Sequence, residues 1–429
     1  MSAVSKRGRI KNRERRAARA AKNEWTALRA GREAVAARNE LTSAVRTNPY
    51  VILQEVFTLQ DGLETINEQL RRQGLRLKEA NEVAMTWMSG LPAHEIPQAT
   101  STTRDLVMDA LTSLAGPGGS EVARNPYFSR SIAVFQHLAS QTEAALRASE
   151  CYVISPGMHA VAVSAAETLT SADVFTWSES DLPVPQGMVY LPHPQVVTLE
   201  GQAPKDLRAI SWYVADVHIP DSGWRRAVNV TSWSDADGPV QVADFNTMRR
   251  VASAAGHPFP KLVRDSTAFV VLDSEATEAE REQGARTGTA LRSALDTATG
   301  SAGEVGEFGG DSVADPAGDF EKRYLFAFMR LAAQEIAVLD TKGIDARGAG
   351  QSSEDEQIQI ATLRSYSNSP PSEETPARAY RRRWMVRMHK VRQWYPSEGR
   401  HKVIWRGPYI KGPEDAPLLA SERVNALVR

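Results

Sequence analysis

Apolar residues recur at helical spacing through most of the first 150 residues. Residues 24–46 are rich in Ala, Leu, Arg and Glu, which favours a helix ending at Asn48-Pro49. Residues 50–73 place apolar side chains every three to five positions, which predicts a second helix with a break at Asp61-Gly62. The remaining helices of this half are predicted at 75–88, 103–114 and 128–148, the last with Ile132, Phe135, Leu138 and Leu146 facing inward.

The pattern then changes to short β-prone runs. A small-residue helix is predicted from Ser155-Pro156-Gly157 to about Leu169. Turn residues at 221–223 and 235–238 separate consecutive runs, which predicts an antiparallel meander. The predicted strands are 187–191, 207–219, 224–233, 239–242 and 267–272. His193, between two prolines, is predicted to be a turn residue.

The last third of the chain alternates loops with short elements. Residues 275–316 are acidic and rich in Gly, Ala, Thr and Ser, which predicts a flexible insertion. Residues 320–339 have apolar side chains at near-helical spacing and predict a helix. A short strand is expected at 358–363, a hairpin around Tyr395–Gly399 and a final strand at 423–428, with loops at 343–355 and 365–376.

These elements together predict an α+β fold, with a helical N-terminal half, an antiparallel sheet in the middle and a basic β-hairpin at the C-terminus. The expected organisation is a basic flexible arm (1–24), a helical region (25–150), an α+β region with the meander (151–274), an acidic flexible insertion (275–318), and a helix followed by the basic aromatic hairpin (319–429).

Composition restricts the class of protein. The only cysteine, Cys151, excludes an intramolecular disulfide and a cysteine-rich zinc site, and we expect it to be a small buried hydrophobe. No apolar run approaches the length of a membrane span, and no signal-peptide pattern opens the chain. Nucleotide-binding loops, nucleophile elbows and paired metal-ligand motifs are missing from the sequence. We therefore expect a cytoplasmic protein with no membrane partner, no cofactor and no bound metal.

The charge is unevenly distributed, although the net charge is only −1. The first 50 residues hold 13 Lys and Arg against 4 Asp and Glu, and residues 376–429 also hold 13 against 4, so the middle of the chain is acidic. Two interpretations are open: the basic ends attract polyanions, or they fold back on the acidic middle.

The segment 381–412 combines these basic residues with aromatic ones. Cations attract phosphate, and aromatic faces offer platforms on which bases stack, so we expect nucleic acid as the partner, RNA over DNA. The expected contacts are Arg387, His389, Arg392, Trp394, Tyr395, Arg400, Lys402, Trp405 and Arg406. The alternative is a strand pair packed on its own domain with its charges in solvent.

Two further functions compete with binding alone. His389 and His401, close to Arg392, Arg400 and Lys402, suggest a ribonuclease in which the histidines act as general acid and base. The same histidines are more simply explained as part of a basic surface, where cationic neighbours lower the pKa of each imidazole. A structural or scaffolding phage protein, with charged ends that meet other subunits, is the other alternative.

Aromatic residues also mark the predicted meander. Trp212, Tyr213, Trp224 and Trp233 would line a groove for an extended peptide if they shared one exposed face. Ordinary packing in the core explains each of them as well. A peptide partner is therefore a second expectation, without a defined site.

The C-terminal motif resembles one found in phage and plasmid proteins, whose usual form is V-R-G-H-W-R, a short turn, and an aromatic-basic strand ending in R/K-G. A related ending occurs in the type V-A anti-CRISPR family that recognises the nascent effector nuclease and brings about loss of its messenger RNA. The residues that match are Arg387, His389, Arg392, Trp394, Tyr395, Trp405, Lys411 and Gly412. Met388 and Lys390 depart from the usual Gly and Trp. The resemblance implies a regulatory protein of a mobile genetic element that binds RNA and a nascent peptide.

Overall fold

The computed structural model describes most of the chain between Thr26 and Lys411. The described ranges are 26–115, 122–174, 177–198, 204–220, 222–238, 243–272, 312–315, 318–334, 337–344, 356–363, 384–386, 389–395, 400–406 and 409–411. The predicted arm at 1–24, the strands at 239–242 and 423–428, and the turn at 396–399 lie outside these ranges.

Nine helices are found in the described ranges: α1 (Ala27–Thr47), α2 (Pro49–Arg72), α3 (Leu77–Ser89), α4 (Ser101–Ala115), α5 (Phe128–Ala148), α6 (Pro156–Thr168), α7 (Ser171–Val174), α8 (Ala243–Ala254) and α9 (Phe320–Ala332). Asn48 ends α1 and begins α2, because its side chain accepts hydrogen bonds from the backbone N–H groups of Tyr50 and Val51. Pro49 follows in the first turn, where a missing N–H costs nothing. The predicted junction between the first two helices is therefore confirmed.

The described strands are β1 (Glu150–Ile154), β2 (Gln186–Thr198), β3 (Lys205–Ile219), β4 (Gly223–Asp235), β5 (Leu262–Val271), β6 (Ser312–Ala314), β7 (Ala337–Ile344), β8 (Glu356–Leu363), β9 (Trp384–Val386), β10 (His389–Tyr395), β11 (Arg400–Arg406) and β12 (Tyr409–Lys411). Eight of them form one sheet in the order β5-β4-β3-β2-β1-β8-β7, with β6 beside β2. Strands β2 to β5 pair antiparallel in sequence order, which confirms the predicted meander.

The sheet is mixed rather than antiparallel throughout, because β1 runs parallel to both of its neighbours, β2 and β8. The sequence pattern had not indicated β1, a run of five residues between two helices. Such a short apolar run has no period that separates a buried strand from a helix.

Both faces of the sheet are covered. Cys151 and Val153 of β1 lie with Leu41 and other residues of α1 in one core, whereas Tyr152 and Ile154 lie with α6 and α9 in another. Cys151 is fully buried, as predicted. A third core fills the bundle of α2 to α5 and includes the predicted inward-facing residues Ile132, Phe135 and Leu138. The α+β class with helices concentrated in the N-terminal part is thus confirmed.

Two helix predictions need correction. Helix α2 runs without a break through Asp61-Gly62, and Gly62 is buried within it, so packing outweighs the glycine's low helix propensity. Helix α9 ends at Ala332 rather than at residue 339, and Leu339 belongs to β7, which pairs antiparallel with β8. The near-helical spacing beyond Ala332 was misleading because pairing with a distant strand determines the local structure there.

The C-terminal end of the predicted flexible insertion is part of the described fold. Residues 273–311 lie outside the described residues, but 312–315 are part of the fold, since β6 pairs parallel with β2 and Val313 is buried. Asp315 is fully buried; its Oδ1 accepts from Arg323 Nη2 at 2.7 Å and its Oδ2 accepts from the backbone N–H of Phe320 at 3.1 Å. Asp319 accepts a second bond from Arg323 Nε at 2.7 Å. This network fixes the start of α9.

His193 is not in a turn but within β2, where the pairing with β3 shifts between Tyr190 and Gln195. Pro192 and Pro194 have no N–H to donate to a ladder, and a bulge removes that requirement. The bulge lies between the segment of β2 that pairs with β1 and the segment that pairs with β6. Among the described residues, no helix is long and apolar enough to cross a membrane.

The network around Arg323 predicts the effect of a single substitution. Replacing Asp315 by Asn removes one of two buried carboxylates from the guanidinium and should lower the free energy of unfolding by about 3 kcal/mol. Asp340→Asn in the exposed pair with Lys342 is the matched control and should cost less than about 1 kcal/mol. Urea unfolding of the three proteins measures both. Equal stability of Asp315→Asn and the native chain would show that residues 312–315 do not hold α9.

Candidate nucleic-acid interface and a surface groove

The predicted C-terminal hairpin is confirmed. Strands β10 and β11 pair antiparallel from His389–Arg406 to Tyr395–Arg400. Strands β9 and β12 pair antiparallel from Trp384–Lys411 to Val386–Tyr409, and this pairing continues the register of β10 and β11. The two strand pairs therefore share one register, and the residues between them, 387–388 and 407–408, lie outside the described ones.

The ladder concentrates positive charge. Its four strands contain no Asp or Glu and hold six basic residues: Lys390, Arg392, Arg400, Lys402, Arg406 and Lys411. They also hold five aromatic residues: Trp384, Trp394, Tyr395, Trp405 and Tyr409. Of the predicted contact residues, all except Arg387 lie in these paired strands, and Arg387 falls outside the described residues. A basic ladder with interspersed aromatic positions has the composition of a single-strand nucleic-acid platform.

The register separates the two histidines of the ribonuclease alternative. His389 is paired with Arg406, and His401 is paired with Trp394, five register positions away. At about 3.4 Å per residue, their backbones are about 17 Å apart along the ladder. A general acid and a general base must both reach one phosphate, so this spacing disfavours a shared catalytic pair on the hairpin.

The aromatic residues of the meander do not form a common peptide groove. Trp212 and Trp233 are buried and belong to cores on opposite faces of the sheet, and Tyr213 is also buried. The indole N–H of Trp212 donates to Val184 O at 3.0 Å, and that of Trp233 donates to Ser211 Oγ at 2.9 Å. Packing in the core explains all three. Trp224 differs, because 48% of it is exposed.

Trp224 lies in a groove of about 670 Å³ between α3 and the end of the β3–β4 pair at which β3 ends and β4 begins. The groove is lined by Glu82, Val83, Met85, Glu95, His218 and Trp224, among others. His218 is the register partner of Trp224, and the two rings meet edge to face with centroids 5.5 Å apart. The sequence could not indicate this groove, because its walls come from segments more than 100 residues apart.

A second polar cluster lies beneath the β2 bulge. His159 of α6 is buried, its Nδ1 is 2.8 Å from the hydroxyl of Tyr324, and the ring of His193 stands edge-on at 5.0 Å. Burial, chiefly, together with the neighbouring His193 and Arg208 lowers the pKa of His159 to about 3, against a hydrogen bond with Gln195 that raises it. Burial and Arg208 also lower the pKa of His193. The buried imidazole of His159 is a core group rather than an acid, whereas His193 is exposed. No cluster of three or more metal-type side chains occurs in the described part of the chain.

No protein-family model matches this chain, and no curated protein matches it. The resemblance of the C-terminal motif to mobile-element proteins therefore stays a prediction.

The buried His159 predicts a specific loss of stability in acid. The folded pKa of about 3 lies below the unfolded value of 6.5, so its contribution is complete above pH 6.5 and is lost as the pH falls from 6.5 towards 3. Over that window the unfolding free energy should fall by about 1.4 kcal/mol per pH unit for this group alone.

The test compares His159→Gln with the native chain by urea unfolding at several pH values. Below pH 6.5, the free energy of unfolding of the variant should depend on pH less steeply, by the contribution of about one proton. The pKa values of His193 and His137 are also lowered by burial, and their contribution to the slope should remain. His94→Gln, at an exposed histidine, is the control for the loss of an imidazole outside the core. An identical pH slope in His159→Gln would contradict a neutral, buried imidazole.

Proposed function

We propose that this chain is a non-catalytic regulatory protein that binds nucleic acid, RNA in preference to DNA, through the C-terminal ladder. The observation that carries the proposal is the ladder itself, with six basic and five aromatic residues and no acidic one in four paired strands. Pairing holds these positions at fixed spacing, so less conformational entropy is lost on binding.

RNA is favoured because stacking on aromatic side chains needs unpaired bases, and single-stranded loops are where proteins most often read RNA. In this proposal Arg392, Lys402 and Arg406 contact phosphates, and Trp394 and Trp405 stack on bases or support the ladder. The assignment to a mobile genetic element and to the cytoplasm rests on the motif resemblance and the single cysteine.

The peptide part of the expected function has weaker support. Three of the four aromatic residues that suggested a peptide groove are buried, which leaves Trp224 as the exposed one of the four. The scaffolding alternative predicts self-assembly without RNA binding, and the ribonuclease alternative predicts cleavage.

Replacing Arg392, Lys402 and Arg406 by Ala in the full chain should weaken binding to a labelled single-stranded RNA of mixed sequence. Each lost phosphate contact flattens the slope of log K against log salt by about 0.7, so the triple variant should lose up to about 2 in slope. Fluorescence anisotropy across a series of salt concentrations measures this.

The matched control removes three exposed charges elsewhere, at Arg32, Arg71 and Lys78 of the helical region. It carries the same change in net charge and should keep the native slope. A slope unchanged in the folded hairpin variant, or an equal change in both triple variants, would refute the hairpin as the phosphate-binding surface. RNA fragments that disappear in His389→Ala and His401→Ala, while binding persists, would favour the ribonuclease instead.

A further inference from the structure

The groove at Trp224 has features that RNA binding does not explain. Trp224 is an exposed tryptophan of the sheet, whereas Trp212 and Trp233 are each only 1% exposed. A partly exposed indole that lines a concave surface is a common feature of ligand sites, and the ring of His218 packs against this one.

The walls of the groove are held in place by main-chain bonds. The backbone N–H of His218 donates to Gly90 O at 2.8 Å, which fastens the end of β3 to the turn after α3. Gly90 has a φ of 71°, the left-handed conformation that ends the helix and that residues other than glycine rarely adopt. Trp224 and α3 therefore face each other across a groove whose shape is set before any ligand arrives.

The charge of the groove is negative. Glu82 and Glu95 line it with exposed side chains, and no Lys or Arg is among its lining residues. His94, also in the lining, lies 3.7 Å through its Nε2 from Glu95 Oε1. The floor includes the apolar side chains of Val83 and Met85. Phosphate and other anions are disfavoured here, because two carboxylates repel them.

We propose that this groove binds a small organic cation that carries a quaternary ammonium group, of the choline type. A quaternary ammonium ion is attracted to the face of an indole, and its methyl groups prefer apolar walls to water. The two carboxylates of the lining add attraction at longer range. A hard metal cation fits less well, because it needs several oxygen ligands close together rather than an aromatic face. The volume of about 670 Å³ lies within the usual range for small-molecule sites.

Choline and its neutral isostere 3,3-dimethyl-1-butanol are the probes, because they share a shape and differ in charge. Saturation-transfer NMR and calorimetry on the full chain should show saturable, millimolar binding of choline and binding of the alcohol that is roughly tenfold weaker. Trp224→Ala should abolish choline binding. Glu82→Gln with Glu95→Gln should weaken it severalfold and reduce its sensitivity to salt.

Leu339→Ala removes another exposed hydrophobic side chain, one that is not among the groove's lining residues, and should bind choline as the native chain does. Circular dichroism and urea unfolding establish that Trp224→Ala is folded, as expected for an exposed position. Trp224→Phe, which keeps an aromatic face, should retain weaker binding. Equal affinity for choline and the neutral alcohol, no saturable binding of choline, or native affinity in Trp224→Ala would each overturn the proposal.

Discussion

Strand β1 pairs through both of its edges and is covered on both of its faces, and the arrangement of the other elements follows from this. A strand parallel to both neighbours needs a crossover connection, and α6 and α7 provide the one that leads to β2. Because both faces of such a strand must be covered, α1 packs on one side, and α6 with α9 on the other. The acidic cluster at Asp315 and Asp319 then holds the N-terminus of α9 through Arg323. Removing this ion pairing would destabilise the start of α9, which packs on the face where Tyr152 and Ile154 lie.

The same burial decides which polar groups are available for chemistry. His159, Tyr324 and Cys151 are enclosed between the layers, where burial lowers the pKa of the imidazole, raises the pKa of the phenol and isolates the thiol. These groups specify packing. The two proposed binding sites differ in the charge of their residues, since the C-terminal ladder contains basic and aromatic residues whereas the Trp224 groove is lined by two carboxylates and an indole. A phosphate backbone is attracted to the first and repelled by the second, and an organic cation shows the opposite preference, so the two proposed ligands do not compete.

The sequence predicted those features that local physics determines. Helices α1 to α6 and the C-terminal hairpin have clear periodicity, caps or turn residues, and Asn48-Pro49 marks a boundary by its own hydrogen bonds. Features set by distant partners were not predictable. Strands β1 and β7 are strands because β8 lies between them, and Leu339 continues a helical spacing only by coincidence. His193 was misplaced because a bulge, which depends on β3, tolerates prolines inside β2. The groove lay beyond sequence reasoning for the same reason, although the aromatic character of Trp224 was noticed.

The central claim is that the ladder from Trp384 to Lys411 is where nucleic acid binds. Hydrogen–deuterium exchange of the full chain, with and without a saturating single-stranded RNA, tests it most directly, because exchange reports on backbone amides along the whole molecule. The account predicts that RNA slows exchange chiefly within residues 384–411 and leaves the Trp224 groove and the strands of the main sheet unchanged. Protection confined to the helical region or the sheet, with none between 384 and 411, would contradict it.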